Sequence, residues 1–152
     1  LGAQLIGEAL LAKYEHSPQK EIGVFPITLT EEGINDSKIA HFGSPLPVGH
    51  WHNDMPGLTP ESKILASSVG CPRQIVRYTN LVYGFQCHME LTPEVVRLLI
   101  DAEEDLFLQS QSLQFVQSPE EIQTFDYREM NSKLHTFLDL LECAYTRSLI
   151  SK

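Results

Sequence analysis

The run from Leu81 to Glu94, LVYGFQCHMELTPE, constrains the fold more than any other stretch of the 152-residue chain. Its first half is short, apolar and rich in β-branched and aromatic residues, the pattern of a buried strand. Its end, Thr92-Pro93-Glu94, reads as the cap and first turn of a helix. A strand that runs almost directly into a helix implies α/β architecture, and open α/β sheets bind ligands beyond the carboxyl ends of their strands. Side chains alternate along a strand. Cys87 and His88 therefore face apart, whereas His88 and Glu90 face the same side. Two readings of that pair stand open: a base with its orienting carboxylate, or a half-buried histidine beside a solvated glutamate.

The rest of the chain supplies the surroundings. Residues 2–14 follow a helical rhythm, with Leu1, Leu5, Ile6, Ala9 and Leu10 on one face. No capping side chain precedes them, so the stretch is expected to be the carboxyl-terminal part of a longer protein. Residues 22–29 read as a strand, at an edge or bulged because Pro26 lacks an N–H. Residues 30–49 read as loop, and 49–57 as a short polar-aromatic segment ending in a turn. Strands are expected over 62–68, 74–79 and 81–87, the last two as a hairpin. Helices are expected over 93–109 and 128–150. The last has an apolar stripe of Leu134, Phe137, Leu138, Leu141 and Ala144.

The formal net charge of -9 argues against nucleic acid or an anionic membrane as the main partner. No apolar run has the length of a membrane span. Three widely spaced cysteines do not make a disulfide framework, and a reducing cytoplasm is the simplest compartment.

Three further constellations bear on chemistry. His50 and His52 in HWHND share a strand face and could ligate a metal. No further ligand stands at the usual local spacing, so no metal is expected. Among Cys71, Cys87 and Cys143, only Cys71 lies in a loop, and no helix amino terminus follows to lower its pKa. Cys143, in mid-helix near the apolar stripe, reads as structural. The opening Leu1-Gly2-Ala3-Gln4 has small residues at a helix start, as in a turn that carries a nucleophile between strand and helix; the plain alternative is an amphipathic helix with one glycine.

Together these pieces resemble the class I glutamine amidotransferases, in the stand-alone branch similar to GMP synthase. LGAQ matches the last four positions of the family's Gly-x-Cys-x-Gly-x-Gln motif, and YGFQCHMELTPE is similar to its histidine–glutamate motif. Met89 stands where the family usually has proline. HWHNDMPGL and LASSVGCPRQIVRY look like that same branch. The resemblance covers 1–94, with 95–152 a helical extension of a single domain whose amino-terminal part is missing. It implies a flavodoxin-like three-layer fold, of which this chain is the second half, and glutaminase chemistry through a cysteinyl thioester, without a cofactor. It implies His88 and Glu90 as catalytic residues, with the nucleophilic cysteine immediately before Leu1. The Leu1 N–H would serve the oxyanion, and Gln4 with the backbone of Trp51, Asn53 and Asp54 would hold glutamine. The ammonia would pass to a synthetase partner. The rivals are a γ-glutamyl hydrolase or transferase with the same triad, and a non-catalytic interaction domain of the same fold.

Overall fold

The computed structural model describes residues 1–150. Helix α1 (Gly2–Ala9) leads into strand β1 (Glu15–Leu29), and a short helix α2 (Glu31–Asn35) and a 3-10 turn (Ala40–Phe42) precede β2 (Leu46–Met55). Strands β3 (Lys63–Ser67), β4 (Ile75–Thr79) and β5 (Val82–Phe85) follow, then helices α3 (Pro93–Ala102), α4 (Leu106–Ser112), α5 (Pro119–Gln123) and α6 (Arg128–Ile150). The α/β class expected from the sequence holds.

The sheet order is β2-β1-β3-β4-β5, and every strand pairing is antiparallel. The sheet curls on itself. Beyond β5, the His88 N–H donates to the Gly49 carbonyl of β2 at 2.7 Å, and the Gly49 N–H donates back at 3.1 Å. The core against the sheet contains side chains such as Ile22, Ile27, Val48, Leu65, Ile75 and Met89, all of them buried.

Several elements depart from the sequence expectation. Helix α1 stops at Ala9 rather than running to 14, and Leu11 adopts a φ of 62° just beyond it. Strand β1 starts seven residues earlier than expected, at Glu15 rather than 22, because its polar first half pairs with Asp54 and Met55 across a bulge between His16 and Glu21. Pro26 sits opposite Pro47, and β1 touches β3 only at Thr28 and Leu29, so at Pro26 the strand has a partner on one side alone. HWHND, expected as a short polar-aromatic segment, is the second half of β2, which begins at Leu46 inside the expected 30–49 loop. The helix expected over 93–109 breaks after Ala102, and Asp105 takes a left-handed φ of 54°, a conformation that aspartate tolerates better than most residues. Glu103 anchors the break. Its carboxylate accepts from Lys20 Nζ at 2.8 Å and from Trp51 Nε1 at 3.1 Å, tying the helices to β1 and β2.

Two helices fix the far end of the sheet. Helix α1 seats on β5 where Gly84 leaves room, since a Cβ there would lie 3.2 Å from that of Ala3. Helix α6 inserts Phe137 against Tyr83 and Phe85, with ring centroids 5.2 Å and 5.0 Å apart in edge-on packing. Leu138, expected in the apolar stripe of α6, is instead exposed. Phe137→Ala is expected to cost about 3–5 kcal/mol, read as a lowered urea midpoint. A loss below about 1 kcal/mol would mean that α6 does not hold the sheet through this ring.

Candidate active site

The segment that leaves β5 is held from three sides, and each hold follows from particular residues. The Gln86 N–H donates to the Gln74 carbonyl at 2.9 Å, which prolongs the strand past Phe85. The Gly49–His88 bridge then closes the curl. That bridge needs glycine: a Cβ on Gly49 would stand 2.9 Å from the His88 carbonyl and 2.5 Å from Leu91 Cδ1. Finally Asn131 of α6 donates its amide to the carbonyls of Met89 (2.6 Å) and Leu91 (3.1 Å), on either side of Glu90. Met89 is fully buried in the core. Thr92 caps α3, accepting from Val95 N–H at 3.4 Å.

On this frame His88 Nδ1 and Glu90 Oε1 lie 2.6 Å apart, with the histidine partly and the glutamate largely open to solvent. Burial alone would raise the Glu90 carboxyl, but the His88 hydrogen bond and charge outweigh it and hold Glu90 below the ordinary carboxylate value. An ionised Glu90 can only accept, so His88 Nδ1 carries the proton and Nε2 is left to act. Cys87 points the other way, into the core, where burial pushes its thiol far up. Burial raises the Cys71 thiol too. Cys143, expected near the apolar stripe, is exposed on α6.

The other residues singled out by sequence lie on β2 and at the start of α1. Gly49 starts the GHWHND run, so its bridge sets that strand directly beside His88. Along β2, His50 and His52 turn inward, while Trp51 is half-buried and Asn53 exposed. Asp54 pairs with His16 Nδ1 at 2.7 Å, a contact at the strand end. Leu1 is exposed and its carbonyl accepts from Leu5 N–H, while Gln4 is half-buried on α1, the helix that packs against β5.

Sequence reasoning missed two participants. Asn131 has no local pattern to announce it. The other is Glu21 on β1, which reaches both inward histidines of β2. Its Oε2 lies 3.3 Å from His52 Nε2 and 3.6 Å from His50 Nδ1. All three side chains are buried. Burial lowers the His50 pKa to about 4, so its ring is neutral near pH 7. Burial would raise Glu21, but His52, His50 and Ser68 together bring it below its ordinary value. The local spacing of HWHND offered no third metal donor; the third donor is on the neighbouring strand.

Comparison with solved structures defines the class. The chain superposes on a glutamine amidotransferase from Thermotoga maritima with a TM-score of 0.75 at 19% identity, covering 91% of this chain and 58% of that one. At that identity the likeness speaks for the fold, which is that of the glutamine amidotransferases. It matches the crystal structure of SMU.1228c with a TM-score of 0.92 at 55% identity, over 93% of this chain and 61% of the other. No family model matches the chain. It is 56% identical over 147 residues to the glutamine amidotransferase-like protein YfeJ of Salmonella typhimurium, covering 97% of this chain and 62% of YfeJ. The chain is similar to these two relatives over nearly all of its own length, and it spans less than two thirds of theirs.

Gly49→Ala is expected to lower stability by about 1–3 kcal/mol through overpacking against His88 and Leu91. Paired urea unfolding curves check this, and equal midpoints would contradict the tight Gly49 contact.

Proposed function

We propose that the chain carries the base half of a glutaminase site, which hydrolyses the side-chain amide of glutamine to glutamate and ammonia. The observation that carries this reading is the 2.6 Å contact from His88 Nδ1 to Glu90 Oε1, on a segment fixed by Gly49 and Asn131. A carboxylate on Nδ1 fixes the ring tautomer and stabilises the imidazolium that forms during proton transfer. The family likeness supports the same chemistry.

The nucleophile in this reading is a cysteine immediately before Leu1. His88 Nε2 takes the thiol proton, and the resulting thiolate attacks the carboxamide carbon and breaks the C=O π bond, placing charge on the oxygen. The backbone N–H of Leu1 donates to that oxygen. As the tetrahedral adduct collapses, the C–N bond breaks and His88 Nε2 protonates the departing nitrogen, giving ammonia and a γ-glutamyl thioester. His88 then takes a proton from water, which attacks the thioester carbon. Glutamate leaves and the thiolate returns. Gln4 and the backbone of Trp51, Asn53 and Asp54 hold the substrate's other end. A synthetase partner would receive the ammonia. The negative charge suits neither nucleic acid nor an anionic membrane, and among the described residues no helix is long and apolar enough to cross one.

His88→Asn in the full-length protein is expected to lower ammonia release from glutamine by about 10⁴-fold, with little change in the thermal midpoint. Asn131→Ala, which frees the loop without removing a reacting group, is expected to give a smaller loss of turnover. Ammonia release by His88→Asn within a few fold of wild type would rule out His88 as the base.

A further inference from the structure

Behind the His88 segment, inside the curl, Glu21, His50 and His52 present three donor atoms to one point. Their separations are 3.4 Å between His50 Nδ1 and His52 Nε2, 3.6 Å between His50 Nδ1 and Glu21 Oε2, and 3.3 Å between His52 Nε2 and Glu21 Oε2. A cation at the middle of such a triangle stands about 2.0 Å from every corner, the distance at which zinc binds imidazole nitrogen and carboxylate oxygen. Calcium needs longer bonds and more oxygens, and magnesium prefers an octahedron of oxygens.

The surrounding hydrogen bonds are those of a ligand set. His50 Nε2 lies 3.1 Å from the Phe25 carbonyl, which can only accept, so Nε2 holds the proton and the Nδ1 lone pair faces inward. Ser68 donates to Glu21 Oε1 at 2.7 Å and leaves Oε2 to the cluster. Gln74 Nε2 lies 2.6 Å from Glu21 Oε2 and 3.2 Å from His52 Nε2, while its Oε1, in a fully buried side chain, has no partner. If His52 carries its proton on Nε2 it can donate to Glu21, but its buried Nδ1 is then bare and has no hydrogen-bond partner. If the proton sits on Nδ1, that N–H is the orphan and three lone pairs converge. The second tautomer is the one a cation on Nε2 requires; His52 Nδ1 is without a partner in either.

We propose that Glu21, His50 and His52 bind a structural zinc ion, with the Gln74 amide turned over so that its oxygen is the fourth donor. The ion cross-links β1, β2 and the residues leading into β4. The site is buried and closed, which suits a structural rather than a hydrolytic metal. It rests on donor geometry and does not depend on the glutaminase reading.

The test uses the full-length protein. Inductively coupled plasma mass spectrometry should find close to one zinc per chain. Stripping with a chelator should lower the thermal midpoint, and adding back zinc should restore it. Cobalt added to the stripped protein should give the intense visible d–d bands of a four-coordinate site. Glu21→Gln and His52→Gln should lose both metal and bands. Because either variant could fail to fold, the stripped wild type carries the decision. If it takes up neither zinc nor cobalt and its midpoint is unmoved by chelator or metal, the proposal is overturned. It is equally overturned if a folded His52→Gln variant keeps wild-type zinc content and the same cobalt spectrum.

Discussion

Two backbone hydrogen bonds between Gly49 and His88 close the curled sheet, and most of what matters here depends on that closure. They join the strand at one edge of the sheet order to the chain leaving the other edge. An open sheet edge would present unpaired backbone groups. Here the same pairing places His88 and sets the GHWHND strand beside it. The join leaves no room for a Cβ at Gly49, so one residue without a side chain determines how near the two segments come. Asn131, reaching from a helix far along the chain, then holds the turn that Met89 leaves without a proline's rigidity. The helices beyond residue 94 are therefore part of the site's support.

Closure also makes a buried interior, and that interior is not purely apolar. Glu21, His50, His52 and Gln74 are all buried there. A buried carboxylate is costly unless it is paired and hydrogen-bonded. Glu21 meets that condition through Ser68, Gln74 and the two histidines. The loop from Ser68 to Cys71 folds over it so closely that a Cβ on Gly70 would meet Glu21 Oε1 at 2.6 Å. Polar chemistry thus occupies both sides of β2 near the closure, with the solvent-facing pair at His88 and the buried group behind it.

Where local rules governed the outcome, the sequence was readable. The period of two along a strand separates Cys87 from His88 and unites His88 with Glu90, and the structure has one buried and the other two in contact. The short apolar runs at 62–68, 74–79 and 81–87 became β3, β4 and β5 with small boundary shifts. The second half of β2 was hidden because its inward positions are His50 and His52, so the usual apolar alternation is missing there; Glu21 on β1 is what makes those positions viable. The first half of β1 was hidden for the same reason, being polar and interrupted by Pro18 and a bulge. The break between α3 and α4 depends on Lys20 and Trp51 gripping Glu103, and Asn131 on the approach of α6. These are contacts between residues far apart in sequence, which no local pattern encodes.

The account stands or falls on whether Glu90 sets the proton on His88. Nitrogen NMR of the full-length protein, labelled at the histidine ring nitrogens, reads this directly. The account predicts that the neutral His88 ring carries its proton on Nδ1 with Nε2 bare, and that Glu90→Gln weakens this preference. A His88 ring protonated on Nε2 in the wild type, and unchanged in Glu90→Gln, would contradict it.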